Sequence, residues 1–350
     1  MKVDHNIERI NKKIFIRVDG NATIGMGHVM RCLSIAEQLR KNNIDIVFIT
    51  SDDTLNSLFM NKGFKQYSLC SKWNNLEGEF TILGPFLNSN KPNMILVDSY
   101  FVSEKYLTKL RKYSKVYYID DLKAFDAKID GIINYNIYGE NMNYDERLYK
   151  KLCLGPRYAP LRNEFLINQK RVFKGVKEVL ITSGGTDEYN VIGNILKYFQ
   201  EKNIFDGVEF YCVIGKFNKN INQLKKDFAK DKNIHFLLNI SNISHYMKQC
   251  DVAITAGGST CYELCACGTP SIMYTLADNQ ILGAKSFSDK NIIPWIGDIR
   301  NNINQCLIGI EKELNILNNQ TLWENRSSKM QQLVDGKGAK RLADILAKEV

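Results

Sequence analysis

Three times along this chain of 350 residues, a short apolar run ends in a glycine-containing turn that leads into a helical pattern. The three runs are Ile14–Val18, 176–181 and 251–255, and each contains the β-branched residues that favour strands. Strands that alternate with helices pair in parallel, because a parallel crossover is long enough to contain a helix. The alternation therefore predicts an α/β fold with parallel sheets.

The length and one irregular stretch predict two domains. A chain of 350 residues exceeds the size at which a single hydrophobic core stops growing. The alternation breaks over residues 154–173, where two prolines and a glycine precede a polar segment. We therefore expect two Rossmann-like domains, residues 1–170 and 171–350, with the last helix packing back on the N-terminal domain. The last strand that we expect in the first domain is Gly131–Ile133.

Composition and charge narrow the class of protein. Hydrophobic residues at 44% and charged residues at 24% are typical of a soluble globular enzyme, and no apolar run is as long as a membrane span. The segment Met1–Lys13 lacks the apolar core of a secretory signal, so we expect a cytoplasmic protein. The net charge is +9, and because the lysines are spread along the chain we interpret it as a mostly solvated surface, with a basic cleft that attracts a phosphorylated ligand as the alternative. No nucleic-acid partner is expected, because no helix-turn-helix, zinc-finger or RNA-binding signature is present.

The nine cysteines are best interpreted as reduced residues of the core, since their number is odd and no signal peptide is recognised. Cys261, Cys265 and Cys267 would suit a metal or redox site, but no histidine lies near them in sequence, and structural packing is the favoured interpretation. The chain also lacks D-x-D, H-E-x-x-H and P-loop patterns. Neither a metal nor a cofactor is therefore expected.

The turn after the first strand combines Gly25, Gly27 and His28. Glycine lets the backbone approach a ligand closely, and the N–H groups at the start of a helix favour an anion. One interpretation is a glycine-bearing turn with a surface histidine, and the other is a catalytic histidine beside a pyrophosphate. A NAD-type fingerprint fits poorly, because its third glycine is absent.

Polar residues follow two further predicted strands, at Asp98–Tyr100 and at Asp120 and Asp121. Ligands of parallel α/β sheets bind beyond the carboxyl ends of the strands, where these residues lie. The same acids can also cap helices or stabilise loops. For Asp120 and Asp121 we favour the role in loops and caps.

The second half of the chain contains two more glycine-rich turns, each with hydroxyl side chains beside the glycines. Their residues are Ser183, Gly184, Gly185 and Thr186 in the first turn, and Gly257, Gly258, Ser259 and Thr260 in the second. Two such turns in one domain favour a site for a nucleotide diphosphate. Glu263 follows on the first turn of the next helix, where a carboxylate can bind a ribose diol or equally interact with the helix dipole in water.

Several motifs together resemble one known family. The segment R-V-D-G-N-A-T-I-G-M-G-H-V-M-R-C resembles the N-terminal signature of the UDP-2,4-diacetamido-2,4,6-trideoxy-β-L-altropyranose hydrolases of pseudaminic acid biosynthesis. Further motifs of that family occur in the same order: L-G-P-R-Y-A-P-L-R-N-E-F, S-G-G-T-D, A-G-G-S-T-C-Y-E-L, G-T-P-S-I and A-D-N-Q. They extend from residue 14 to about residue 290. The family is similar to MurG-type glycosyltransferases, which implies a GT-B fold of two Rossmann-like domains that face each other across a cleft.

The resemblance implies a role for each matching residue. His28 would assist the attack of water on the anomeric carbon of the sugar, with release of UDP. Residues Ser183–Thr186 and Gly257–Thr260 would lie near the phosphates, Glu263 on the ribose, and Asn279 and Gln280 toward the sugar or phosphate. Asp19, Gly25, Gly27 and Arg31 belong to the first signature and would shape the site. The implied substrate is a UDP-sugar, without an obligate protein partner.

Three functions remain open from the residues. The first is the UDP-sugar hydrolase, the second a MurG-like glycosyltransferase that activates an acceptor hydroxyl, and the third a UDP-sugar-binding protein without catalysis. His28 can activate water or assist the leaving group. The segments around Tyr67–Asn90 and Ile137–Arg147 carry no family motif, so the identity of the sugar rests on the resemblance alone.

Overall fold

A computed structural model describes residues 12–350 except 22, 167–169, 204–206, 216, 239 and 241. Most of the segment Met1–Lys13 therefore lies outside the described residues. The chain divides into two compact units. Unit 1 contains the described residues up to Tyr135, then Asn141–Leu154 and Ala339–Val350, and unit 2 contains Asn136–Glu140 and Gly155–Gly338. No helix in the described part of the chain combines the length and the apolar character that a bilayer crossing needs.

Unit 1 alternates strands and helices as the sequence predicts. Its strands are β1 (Lys13–Val18), β2 (Asp45–Thr50), β3 (Lys65–Ser68), β4 (Met94–Asp98), β5 (Lys115–Ile119), β6 (Ile129–Asn134) and β7 (Tyr149–Leu154). The helices between them are α1 (Gly27–Arg40), α2 (Asn56–Asn61), α3 (Phe80–Asn90) and α4 (Glu104–Leu110). Strand β7 was not predicted, because it lies at the sheet edge, where Lys150 and Lys151 interrupt the apolar pattern.

The strands of unit 1 form one parallel sheet in the order β3-β2-β1-β4-β5-β6-β7. The chain builds outward from β1 in one direction and then from β4 in the other, so the strand order reverses between β1 and β4. The register places Val18 at the end of β1 beside Asp98 at the end of β4. The carboxyl ends of these two strands flank the crevice where open α/β sheets bind ligands.

Unit 2 repeats this architecture. Its strands are β8 (Glu178–Thr182), β9 (Glu209–Ile214), β10 (Ile234–Leu238), β11 (Val252–Ala256), β12 (Ser271–Thr275) and β13 (Trp295–Asp298). Its helices are α5 (Val191–Glu201), α6 (Ile221–Asp227), α7 (Ile243–Gln249), α8 (Thr260–Cys267), α9 (Asp278–Asp289), α10 (Ile303–Leu317) and α11 (Gln320–Leu333). The parallel sheet has the order β10-β9-β8-β11-β12-β13, so the order reverses between β8 and β11.

Each sheet has its own hydrophobic core. Central strands such as β4 and β11 are buried along their whole length, as expected for parallel strands that helices cover on both faces. Helix α5 buries Val191, Ile195 and Phe199 among other apolar residues, which recur at helical spacing and pack against the sheet of unit 2. The two cores fix the strand ends from which the polar residues project.

The last helix, α12 (Gly338–Glu349), lies almost entirely in unit 1. Leu342 and Leu346 are buried on it, and Lys115 Nζ donates a hydrogen bond to the carbonyl oxygen of Glu349. The boundary that we expected near residue 170 falls inside unit 2, which resumes at Gly155. Within unit 2 the backbone approaches closely at the end of this segment, because a Cβ at Gly338 would clash with the backbone of Ala159.

Candidate functional site

His28 lies in the first turn of α1, directly after a loop that is stabilised by its own hydrogen bonds. The side-chain oxygen of Asn21 accepts hydrogen bonds from two backbone N–H groups of this loop, and the N–H of Gly25 donates to the carbonyl oxygen of Asn21 at 2.8 Å. Gly25 adopts a φ of +74°, a conformation that favours glycine. Helix α1 begins at Gly27 and has no side-chain cap. The loop therefore presents His28 at the carboxyl edge of the sheet.

Asp98 binds His28 from the end of the neighbouring strand β4. Its Oδ1 atom lies 2.6 Å from Nδ1 of His28. The Asp98 side chain is fully buried, and that of His28 is only 8% exposed. The ring of Tyr100 contacts His28 edge-on, with 4.6 Å between the ring centroids. His28 is therefore a buried, oriented residue and not the freely exposed histidine of the alternative interpretation.

The contact with Asp98 fixes the tautomer of His28. Burial favours protonation of Asp98, but the Arg31 guanidinium and His28 together hold the pKa of this carboxyl well below its usual range. An ionised carboxylate only accepts hydrogen bonds, so the nitrogen at 2.6 Å must carry the hydrogen. Nδ1 is therefore the donor, and Nε2 of the neutral imidazole keeps its lone pair. The ring can accept a proton at Nε2.

Arg31 joins two carboxylates behind the histidine. Its Nε and Nη2 atoms donate to the two oxygens of Asp98 at 2.6 and 2.5 Å. Its Nη1 atom donates to Asp121 at 2.8 Å and to the hydroxyl of Tyr135 at 2.8 Å. Burial opposes the charged form, but Asp121 and Asp98 raise the pKa of Arg31 well above its usual value. We refer to His28, Arg31, Asp98, Tyr100, Asp121 and Tyr135 as the His28 cluster.

Asp19 of the first signature is bound by other residues of unit 1. Its Oδ2 atom accepts a hydrogen bond from Arg17 at 2.5 Å, and its Oδ1 atom accepts one from the backbone N–H of Ser51 at 2.7 Å. Arg17 in turn binds Glu79 through Nε and Nη2. Both oxygens of Asp19 therefore have partners within unit 1, where the residue ties the β1–α1 loop to the end of β2.

The predicted nucleotide-binding residues of unit 2 all follow adjacent strands of its sheet. Ser183–Thr186 follow β8, Gly257–Ser259 follow β11, and Asn279 and Gln280 lie in the first turn of α9 after β12. Because β8, β11 and β12 are neighbours and parallel, their carboxyl ends lie at one edge, and the first two flank the reversal of strand order. The topology thus brings the three motifs to the same edge.

The two glycine-rich turns differ in the helix that follows each of them. The buried carboxylate of Asp187 accepts hydrogen bonds from the N–H groups of Val191 and Ile192 at the start of α5. Helix α8, by contrast, has no side-chain cap at Ser259, and a Cβ added at Gly258 would meet no atom within 4 Å. A helix start that already holds a carboxylate disfavours a second anion, so the start of α8 is the more favourable of the two for an anion.

Glu263 projects from the first turn of α8 and is bound by Arg162 at 3.2 Å. Arg162 also pairs with Glu164 at 2.9 Å, so the proline-containing segment contacts the start of α8. Burial raises the pKa of Glu263, and the guanidinium of Arg162 opposes that rise. Arg162 contacts only Oε1 within hydrogen-bond distance, and the carboxylate remains 20% exposed. It can therefore accept further hydrogen bonds from a ligand.

The A-D-N-Q motif at the start of α9 is held by its neighbours. Gln280 accepts a hydrogen bond from the N–H of Leu276 at 3.0 Å, which fixes the turn after β12. Asp278 pairs with Arg300 at 2.6 Å. Asn279 is exposed at the edge that carries the other motifs. Gln280 therefore supports the local backbone, and Asn279 is the residue of this motif that is exposed to a ligand.

The sequence analysis left the role of Asp98 open between ligand binding and a cap or loop, and it favoured a loop or cap role for Asp121. Asp120 accepts hydrogen bonds from the N–H groups of Leu122 and Lys123, which confirms its expected role in the loop. Asp121, for which we favoured the same role, lies in the His28 cluster as a partner of Arg31. The available signal was the position of each acid directly after a buried strand, at the edge where His28 lies.

The fold defines a class of protein, the two-domain α/β proteins of GT-B type. Acinetobacter baumannii MurG superposes with a TM-score of 0.68 at 13% identity, over 96% of this chain and 99% of that chain. The glycotransferase of kitacinnamycin superposes with a TM-score of 0.69 at 13% identity, over 97% of this chain and 99% of that chain. At these identities the likeness establishes the fold, and it confirms the predicted GT-B architecture.

Sequence comparisons then specify the relatives of the chain. Residues 179–332 match the Glycosyltransferase family 28 C-terminal domain. The Helicobacter pylori pseudaminic acid cytidylyltransferase and UDP-2,4-diacetamido-2,4,6-trideoxy-β-L-altropyranose hydrolase is 28% identical, over 82% of this chain and 49% of that protein. The Campylobacter jejuni UDP-2,4-diacetamido-2,4,6-trideoxy-β-L-altropyranose hydrolase is 24% identical, over 72% and 87%. The resemblance to these hydrolases that the motifs predict is confirmed.

An uncharacterized protein of Methanocaldococcus jannaschii is 29% identical, over 75% of this chain and 55% of that protein. The chain thus spans about half the length of this protein and of the Helicobacter pylori relative.

Proposed function

We propose that this protein hydrolyses UDP-2,4-diacetamido-2,4,6-trideoxy-β-L-altropyranose to UDP and 2,4-diacetamido-2,4,6-trideoxy-L-altropyranose, a step of pseudaminic acid biosynthesis. The observation that carries the proposal is the pair of His28 and Asp98, which leaves Nε2 of a buried imidazole able to accept a proton. The two relatives that bear this name support the choice of substrate. The relatives' names also support the more general activity, the processing of a nucleotide sugar.

In the proposed reaction His28 acts as a general base. Nε2 takes a proton from water as the water oxygen forms a bond to the anomeric carbon. The bond from that carbon to the pyrophosphate oxygen breaks, and UDP departs with the electron pair. The imidazolium then returns its proton to the medium, so that water is the only reactant consumed besides the UDP-sugar. A positioned base of this kind contributes about 10²- to 10⁴-fold to a rate.

Unit 2 would bind the nucleotide. The uncapped start of α8, with Gly257 and Gly258 before it, would stabilise the diphosphate, whose negative charge grows as the bond breaks. Ser183, Gly184, Gly185 and Thr186 would contact the same phosphates from the neighbouring turn. Glu263 would accept hydrogen bonds from the ribose hydroxyls, and Asn279 would reach the sugar side.

The test is release of UDP and reducing sugar from this substrate in the absence of any acceptor. We expect turnover by the wild type, a loss of at least about 10²-fold in His28→Ala, and normal turnover in His245→Ala. His245 is a matched control because it is exposed on α7 of unit 2. Reaction in H₂¹⁸O should place the label on the sugar. Label on UDP would overturn attack at carbon and with it the role of His28 proposed here.

A glycosyltransferase is the second candidate function. The match to the Glycosyltransferase family 28 C-terminal domain and the MurG-like structures favour it. In that function His28 would take the proton of an acceptor hydroxyl instead of water. The same assay separates the two, since a transferase leaves the UDP-sugar nearly intact until an acceptor is added. A protein that binds UDP without turnover under either condition would be the non-catalytic binder.

A further inference from the structure

Asp98 is an acceptor shared by three side chains of helix α1, of which Cys32 makes the longest contact, from Sγ to Oδ2 at 3.4 Å. Its Oδ1 atom accepts hydrogen bonds from His28 at 2.6 Å and from Arg31 at 2.5 Å, and its Oδ2 atom accepts from Arg31 at 2.6 Å. The planar guanidinium grips the carboxylate at both oxygens, which fixes the plane of the carboxylate as well as its position. The direction in which His28 donates is therefore set by Arg31.

Arg31 also lies next to the imidazole itself. Its Nη2 atom is 3.1 Å from Nδ1 of His28, and because Nδ1 carries a hydrogen this is a contact between two donors. A fixed cation at this distance opposes a second positive charge on the ring. Asp98 has the reverse effect, since a carboxylate at 2.6 Å stabilises an imidazolium. The two residues thus act on His28 with opposite signs.

Asp121 adds a third charge on the far side of the guanidinium. It accepts a hydrogen bond from Nη1 of Arg31 at 2.8 Å and one from the hydroxyl of Tyr100 at 3.2 Å. With a neutral His28, the three charges of Arg31, Asp98 and Asp121 sum to −1 (+1 − 1 − 1). Protonation of His28 brings the sum to zero. The cluster is therefore charged so that it accommodates the imidazolium that forms when His28 takes a proton.

We propose that Arg31 and Asp121 are positioning residues that together set the basicity of His28 through Asp98. Arg31 holds Asp98 in place and offsets the negative charge that Asp98 presents to the ring. Asp121 limits that offset, so that the ring can still accept a proton from water. The inference rests on the proposed role of His28 as a base, and it assigns Arg31 and Asp121 a part in setting that basicity.

The charged and titratable groups around the ring come from four neighbouring strand ends. Arg31 and Cys32 lie on α1 after β1, Asp98 and Tyr100 at the end of β4, and Asp121 directly after β5. Tyr135 follows β6. It is uncharged and accepts a hydrogen bond from Arg31. Arg31 and Asp121 are the members whose charge can be changed without removing the acceptor of Nδ1.

The test is an NMR titration of the imidazoles, which needs no substrate. The chain has only four histidines, so ¹⁵N-labelled protein gives few ring signals, and His28→Ala identifies the one that matters. The variants are Arg31→Gln, Arg31→Lys and Asp121→Asn. The control is Asp130→Asn, which removes a buried, ion-paired carboxylate near the amino end of β6.

We expect the wild-type spectrum to show the tautomer with hydrogen on Nδ1. The titration midpoint of His28 should rise by about one pH unit or more in Arg31→Gln and fall by a similar amount in Asp121→Asn. Asp130→Asn should stay near the wild type, since it keeps the charges of the cluster, and Arg31→Lys should shift the midpoint less than Arg31→Gln, since it keeps the charge but loses the two-point contact with Asp98. If Arg31→Gln does not fold, the lower titration midpoint of His28 expected in Asp121→Asn tests the proposal. Midpoints that agree within about 0.3 units in all variants would overturn the proposal, as would hydrogen on Nε2.

Kinetics give a second readout. The acid limb of the pH profile of kcat/KM should move with the titration midpoint of His28. It should move to higher pH in Arg31→Gln and to lower pH in Asp121→Asn, and it should not move in Asp130→Asn. Shifted midpoints in a protein that does not hydrolyse the UDP-sugar would overturn the proposed function and leave the arrangement of charges standing. Full hydrolysis with unmoved midpoints would overturn the inference about Arg31 and Asp121 and leave the proposed function standing.

Discussion

Asp98 and His28 lie 70 positions apart in the chain, yet the carboxylate of one is 2.6 Å from the imidazole of the other. The contact exists because β1 and β4 are neighbours in the sheet and both end at the same edge. Arg31 completes the arrangement by binding both oxygens of Asp98. A carboxylate so placed orients the ring and selects the nitrogen that is free to act as a base.

Asp98→Asn should abolish most of the activity without preventing the fold. The amide is almost the same size, but it can donate as well as accept, so the ring is no longer held as the Nδ1–H tautomer. We expect kcat to fall about 10²- to 10⁴-fold with little change in KM, measured as UDP release. Asp130→Asn should keep wild-type kinetics. An Asp98→Asn enzyme of normal kcat would show that the tautomer is unimportant.

The same carboxylate should make stability depend on acid pH. Burial opposes its ionisation, but Arg31 and His28 hold the pKa of Asp98 well below its usual range. A depressed pKa stabilises the folded state above the unfolded-state pKa of about 4, and this stabilisation is lost as the pH falls below that value. In urea titrations the free energy of unfolding should fall more steeply between about pH 4 and 2.5 in the wild type than in Asp98→Asn. Parallel slopes would contradict this.

Gly258→Ala should separate binding from stability. No atom lies within 4 Å of the added methyl group, so the free energy of unfolding should change by less than about 0.5 kcal/mol. If the diphosphate binds at the start of α8, the methyl group blocks its approach, and UDP affinity measured by calorimetry should fall at least about tenfold. Gly78→Ala in unit 1 serves as the control and should bind UDP normally. Unchanged affinity in Gly258→Ala would place the phosphates elsewhere.

Glu263→Gln should remove discrimination between ribose and deoxyribose. A hydrogen bond to a charged group is worth about 1.5–3 kcal/mol, so the wild type should bind UDP at least about tenfold more tightly than 2′-deoxy-UDP. In Glu263→Gln that ratio should shrink toward one. Glu164→Gln is the matched control, because Glu164 pairs with the same Arg162 but lies outside α8. Equal ratios in the wild type and Glu263→Gln would mean that Glu263 does not contact the ribose.

Leu342→Ala should destabilise unit 1 although the residue lies near the end of the chain. Its side chain is fully buried on α12, and truncation of a buried leucine costs about 2–5 kcal/mol. Lys340→Ala on the exposed side of the same helix should cost less than about 0.5 kcal/mol. Chemical denaturation measures both. A Leu342→Ala protein as stable as Lys340→Ala would show that α12 contributes little to the fold.

The sequence by itself determined the alternation of strands and helices and the positions of the glycine-containing turns. These features are local, since an apolar run and the glycine that follows it lie within a few residues of each other. For the same reason His28 was found at the start of α1 and the two turns of the second half at the starts of their helices. The motifs also predicted the GT-B architecture correctly, through resemblance to known proteins.

Only the tertiary structure decided which strand ends become neighbours. Strand order depends on packing among residues far apart in sequence, so the partnership of His28 with Asp98 could not be read from the chain. Asp120 and Asp121 show the same limit, because adjacent and chemically identical residues differ in that one binds loop N–H groups and the other pairs with Arg31. The edge strand β7 and the backbone approach at Gly338 likewise follow from contacts that no local pattern records.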